Sequence, residues 1–170
     1  MTVTERILAV LRREDDFLCA LATAGTDGRP HVRYMKGMID EHLTIRCPTF
    51  ASTQKVRHIQ SCADVSLTCG DTDSSRPGSY FQIAARASIS QDLADRTAAW
   101  TPRLEKWFSG IDDPDYAVVR IEPTRILAIP IGGGPAGEIW AADTQARSET
   151  LDHVDVFRFE VEEFGMGRRR

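Results

Sequence analysis

The chain has 170 residues, 42% hydrophobic and 27% charged, which is enough for one self-sufficient core and typical of a globular protein. A formal charge of -4 leaves no general basic field for nucleic acid, and no hydrophobic run approaches the length of a membrane-spanning helix. The 4 cysteines contain no C-x-x-C pair, so neither zinc nor a disulfide framework is expected.

Thr4 is expected to cap a first helix whose Ile7, Leu8, Val10 and Leu11 form one broad apolar face. This charged, amphipathic start does not read as a signal peptide, so a cytoplasmic protein without a membrane partner is expected. Phe17 to Ala24 is a nearly continuous apolar strand, a pattern that predicts burial on both faces. Gly25-Thr26-Asp27-Gly28 reads as a hairpin turn, with two glycines suited to positive φ. The return strand runs from Pro30 to Ile39, with Arg33 and Met35 on one face and Val32, Tyr34 and Lys36 on the other.

A third strand is expected to leave His42-Leu43-Thr44 and to end at Pro48, which has no N–H for a ladder. A small, hydroxyl-rich turn follows, and Lys55-Val56-Arg57-His58-Ile59 reads as helix. Thr49, Ser52 and Thr53 then fall in the linker and first turn, where backbone N–H groups lack intrahelical partners. Those donors, the positive end of the helix dipole and the Lys55 ammonium together suit a phosphate. The same residues also suit a plain N-cap followed by a solvated lysine.

Ala63 to Cys69 alternates as a strand, Gly70 to Gly78 is a loop, and Tyr80 to Ile89 is a further strand. Asp92 to Trp107 has helical period, with Pro102 implying a break or restart. Trp100 and Trp107 share a face if that helix is unbroken, which suits core or dimer packing. Tyr116 to Ile121 is a strong strand, and Arg125 to Ile129 reads as another strand or a bent extension. Gly132-Gly133-Gly134 is a flexible break, and Val154 to Val161 alternates as a late strand.

His31, His42, His58 and His153 show no metal-ligand spacing and read as surface or turn residues, so no metal is expected. No side chain declares itself as a general acid or base, and no catalytic residue is nominated. Sequential hairpins with only three helical stretches predict a mainly β fold, an antiparallel closed β-barrel with appended helices. A single domain is expected over residues 1–170, with the barrel core at about 15–130 and a C-terminal extension at 131–170.

Three motifs occur in order. They are Gly28-Arg29-Pro30-His31-Val32-Arg33-Tyr34-Met35, then Thr49-Phe50-Ala51-Ser52-Thr53-Gln54-Lys55-Val56, then Trp100-Thr101-Pro102-Arg103-Leu104-Glu105-Lys106-Trp107-Phe108 followed by Asp112-Asp113-Pro114. Together they resemble the pyridoxamine 5'-phosphate oxidase-like, FMN-binding split-barrel family, in its general-stress-protein branch. The resemblance implies FMN as cofactor, with Arg33, Thr49, Thr53 and Lys55 holding its phosphate and Ser52 in the same turn. It also implies that the strand backbone at Tyr34 and Met35 lies along the isoalloxazine ring, in a homodimer with flavin sites at the interface.

The chain departs from the family pattern at Cys47-Pro48, Ala85, Ala128 and Ile129, mostly around the ring-binding half of the site. No counterpart of the true oxidase's substrate-binding C-terminal segment is visible, so vitamin B6 oxidation is not implied. The expected function is that of a flavin-dependent oxidoreductase of unknown substrate. The alternatives are a non-catalytic flavin-binding stress or sensor protein, and a split barrel that uses a deazaflavin or haem.

Overall fold

The computed structural model describes residues 2–73, 78–131 and 139–142. Its elements are α1 (Val3–Leu11), β1 (Phe17–Ala24), β2 (Pro30–Ile39), β3 (Ile45–Phe50), α2 (Gln54–Ser61), β4 (Asp64–Gly70), β5 (Ser79–Ser90), α3 (Leu93–Ala98), a 3-10 turn (Pro102–Lys106), β6 (Tyr116–Pro130) and β7 (Ile139–Ala141). Six strands close an antiparallel barrel in the order β3-β2-β1-β4-β5-β6, shut by the pairing of β3 with β6, and β7 is added along β6. The fold is therefore the mainly β barrel with appended helices that hairpin order and turn chemistry predict.

Alternate residues of each strand point into the barrel. Cys19 and Leu21, Ile45 and Cys47, Leu67, Phe81 and Ile83, and Val119 and Ile121 make the core. The apolar run of β1 is buried on one face only, and Leu18 on the other face is 52% exposed. A barrel has a single interior, and the small Ala20 and Ala22 leave the outer face shallow.

Several local expectations shift. Thr2, not Thr4, caps α1, because Glu5 stands three residues beyond it and completes a reciprocal capping box. In the β1–β2 turn only Gly28 takes positive φ, at 77°. His42-Leu43-Thr44 is a turn rather than the start of a strand. The Asp40 carboxylate accepts from the N–H groups of His42 and Thr44, and Leu43 takes φ 67° to bury its side chain.

Pro48 lies within β3, opposite Val118, and does not end it. The Ala51 N–H donates to Asp115 O across the β3–β6 pair, so period two turns the N–H groups of Thr49, Cys47 and Ile45 toward β6. Position 48 therefore aims its missing N–H at β2. There the β2–β3 ladder contains only Met38 with Arg46 and Ile39 with Ile45. The next rung of that register would join Lys36 to Pro48, and it is absent. A seam stays open between β2 and the second half of β3.

β6 is one long strand interrupted in phase. Its register against β5 slips between Ala84 and Ala85, leaving Thr124 as an extra residue whose hydroxyl donates to Ala84 O at 3.0 Å. That slip moves the inward phase from Ile121 to Ile126, which is why the sequence reads as two strands. The segment from Asp92 to Trp107 breaks at Thr101-Pro102, so Trp100 and Trp107 share no helix face. Trp100 packs edge-on against Tyr116 at 5.3 Å, whereas Trp107 is 59% exposed.

A buried ionic clamp ties α3 to the barrel. Arg46 donates to Asp40 and to Asp95, each at 2.7 Å, and Arg120 Nη1 stands 4.0 Å from Asp95. Burial pushes both carboxyls up, but the hydrogen bonds and charge of Arg46, joined by the Thr44 and His42 N–H groups at Asp40 and by Ser90 and the charge of Arg120 at Asp95, together outweigh it and hold both below the usual range. Among the described residues, no helix is long and apolar enough to cross a membrane. Gly132-Gly133-Gly134, His153 and the late strand at Val154 to Val161 lie outside the described residues.

Candidate functional site

Inward alternation brings Thr23 of β1, His31 and Arg33 of β2, and Thr49 of β3 to one end of the barrel, where α2 crosses. α2 starts there because Thr53 is still extended, while Val56 and Ile59 bury their side chains in the domain interior. Lys55 and His58, three residues apart, share one side of the helix.

The Lys55 ammonium donates to Thr49 Oγ1 at 3.1 Å and to Thr53 Oγ1 at 3.2 Å. Thr53 does not use its hydroxyl to cap α2 but donates to Phe50 O at 2.8 Å. The N–H groups of Gln54 and Lys55, in the first helical turn, have no partner among the described residues.

Arg33 approaches from the neighbouring strand. Its Nη1 donates to Leu21 O at 3.2 Å and to Thr23 Oγ1 at 2.8 Å, so the donors on Nε and Nη2 remain without a partner among the described residues. Thr23 Oγ1 also lies 3.1 Å from His58 Nδ1, and the His58 ring packs on His31 with centroids 4.5 Å apart. Contrary to the sequence expectation, His58 is neither a surface nor a turn residue, being only 4% exposed.

No carboxylate among the described residues pairs with Arg33 or Lys55, and the titration of the cluster reflects this. Burial lowers the Lys55 ammonium, and the charge of Arg33 lowers it further. Burial likewise lowers Arg33. His58 is lowered by burial first, then by His31, Arg33 and Arg57, with Asp27 alone opposing. Like charges held together in a half-buried hollow make a site that favours an anion.

Of the residues singled out in the sequence, Arg33, Thr49, Thr53 and Lys55 converge on this hollow. Ser52 stands on its rim, where its N–H and hydroxyl donate to the Asp115 carboxylate at 3.0 and 3.2 Å. Tyr34 points outward, 76% exposed, and Met35 points into the core, 8% exposed. Their backbones also differ. Strand parity turns the N–H and C=O of Tyr34 and Lys36 toward the open seam, whereas those of Met35 are spent on the ladder with Cys19. Sequence reading passes over Thr23, His31 and His58. The available signals are the i, i+3 spacing of His58 from Lys55 and the hairpin register that sets Thr23 opposite His31.

Comparison with known proteins agrees with this geometry. The chain is 31% identical over 130 residues to General stress protein 26 of Bacillus subtilis (strain 168), covering 76% of this chain and 90% of that one. It superposes on the crystal structure of General Stress Protein 26 from Bacillus anthracis str. Sterne with a TM-score of 0.67 and 21% identity, covering 83% and 99% of the two chains. The same fold occurs in a heme binding protein from Mycobacterium smegmatis (TM-score 0.64, 15% identity, 83% of this chain and 59% of that one). It also occurs in an F420 reductase (TM-score 0.52, 19% identity, 70% and 94%). The pyridoxamine 5'-phosphate oxidase family profile matches residues 3–129, from the start of α1 to the end region of β6, and the chain belongs to that family of split barrels.

Proposed function

We propose that this chain binds FMN, with its phosphate between Arg33 and Lys55, and works as a flavin-dependent oxidoreductase. The observation that carries this reading is a pair of half-buried cations on two different elements, both with donors to spare and no carboxylate between them. A phosphate dianion matches what is left over: the Nε and Nη2 donors of Arg33, the third Lys55 donor, and the first-turn N–H groups of Gln54 and Lys55. Thr49 and Thr53 orient the ammonium by accepting its other hydrogens.

The open seam beside Tyr34 offers backbone donors and acceptors for the edge of a planar ring. The flavin, when bound, supplies hydride or electron transfer, and the chain supplies position, charge and a partly dry environment. No side chain in the hollow is assigned as a general acid or base.

The outer barrel face supports the reading of a homodimer. Leu18, Val32 and Tyr34 are 52%, 67% and 76% exposed, and beside them lies a shallow depression of 620 Å³ lined by Ala20, Ala22, Gln82 and Leu127. Such a contiguous apolar surface suits a second copy of the chain.

A deazaflavin phosphate would meet the same partners. Haem fits less well, because the two histidines of the hollow pack against each other at a tilt and one is bonded to Thr23. Titrating the protein with FMN and with riboflavin, followed by fluorescence quenching, tests the reading: FMN must bind, and more tightly than riboflavin. No quenching by FMN overturns it. NAD(P)H oxidation by the FMN-loaded protein then separates an oxidoreductase from a carrier without turnover.

A further inference from the structure

Thr23 is 2% exposed and has two polar neighbours, Arg33 Nη1 at 2.8 Å and His58 Nδ1 at 3.1 Å. A guanidinium can only donate, so Thr23 Oγ1 accepts from Arg33. The threonine's own hydrogen then has one polar atom within reach, His58 Nδ1. If that nitrogen carried a hydrogen, two donors would face the oxygen and the hydroxyl hydrogen would be left buried without an acceptor. One arrangement satisfies the Thr23 hydroxyl: Arg33 to Thr23, Thr23 to His58, with the imidazole neutral and its hydrogen on Nε2.

This chain of bonds joins three elements. Arg33 is on β2, Thr23 on β1 and His58 on α2, the helix that also carries Lys55. It therefore fixes two things at once, the rotamer of the guanidinium and the seating of the helix that brings the ammonium. We propose that Thr23 and a neutral His58 are a positioning pair for Arg33, which hold its free Nε/Nη2 edge toward Lys55. The proposal rests on the phosphate-binding reading above.

The titratable and charged groups facing His58 are His31 and Arg33 of β2, Arg57 of α2 and Asp27 of the β1–β2 turn, and only Asp27 favours the imidazolium, which agrees with a neutral ring.

Two measurements on the full chain decide the matter. Heteronuclear NMR of the ligand-free protein reads the His58 tautomer. The expected result is a neutral ring with its hydrogen on Nε2. A ring with hydrogen on Nδ1 overturns the proposal. In the second measurement, Thr23→Val is expected to weaken FMN binding about ten-fold, the worth of one charge-assisted hydrogen bond, while Thr23→Ser preserves it and riboflavin affinity stays unchanged. Wild-type affinity in Thr23→Val overturns the positioning role and leaves the FMN reading standing. Failure of the wild type to bind FMN removes that reading instead, and the His58 tautomer still decides the inference.

Discussion

The Lys55 ammonium sits 3.1 Å from Thr49 Oγ1, so a helix residue is bonded back to the strand that precedes its own helix. That bond ties the helix start back to β3 and holds the ammonium where it feels the charge of Arg33. Lys55→Ala and Arg33→Ala are each expected to weaken FMN binding by about ten- to a hundred-fold, since each removes a charged partner of the phosphate. Fluorescence titration measures this, and unchanged affinity in both variants would remove the cradle. Because the two cations repel in the empty hollow, Lys55→Met should not lower the thermal midpoint of the ligand-free protein. FMN should raise the midpoint of the wild type.

Val32 and Tyr34 lie on the outer face of β2, with their side chains in solvent. In the proposed homodimer, a carboxylate there would face its own image across the two-fold interface and would have to be desolvated. Val32→Glu is therefore expected to yield a monomer in sedimentation or light scattering, with the fold intact by circular dichroism. A wild-type chain that is monomeric at high concentration would contradict the dimer reading.

Arg46 offers a separate test of stability. Removing it in Arg46→Met leaves the buried Asp95 with a Ser90 hydrogen bond and the distant Arg120, and is expected to cost about 3 kcal/mol in urea unfolding. The wild type should also lose stability in acid. Asp40 and Asp95 titrate lower in the folded than in the unfolded chain, so below about pH 4 the unfolded chain binds more protons. Their stabilisation is full above the unfolded value and disappears as pH falls through the folded one. Arg46→Met should flatten that acid limb.

Gly37 faces the core where the barrel wall is thinnest. An added Cβ would lie 3.1 Å from Phe17 Cζ, 3.2 Å from Ile45 Cγ2 and 3.3 Å from Cys47 Sγ. Ile45 and Cys47 are fully buried and cannot step aside. Gly37→Ala is expected to destabilise the protein by about 1 kcal/mol or more in urea unfolding.

The strands were legible because each has period two and the turns carry their own chemistry, as Pro30 to Ile39 after Gly28 illustrates. The hydroxyl-rich run before Lys55 pointed to the hollow for a local reason, since strand, turn and helix start are contiguous in sequence. What escaped depended on partners distant along the chain. His58 reads as a helix-surface residue until Thr23, 35 positions earlier, is placed beside it. Leu43 betrays no positive φ until Asp40 is seen to gather the turn's N–H groups. β6 reads as two strands because a single extra residue, Thr124, reverses its phase, and only the register against β5 reveals the continuity. β7 is too short, at 3 residues, to declare a period at all.

Pro48 gives the seam a permanence that side-chain packing alone would not. If a residue with an amide hydrogen stood there, β2 and β3 could go on zipping past Met38 and Arg46, and the ligand would have to compete with the protein's own backbone for the same polar groups. An imino acid has no N–H to give that zipper in any conformation. The gap beside Tyr34 is thus written into covalent structure, and the chain has no easy way to heal it.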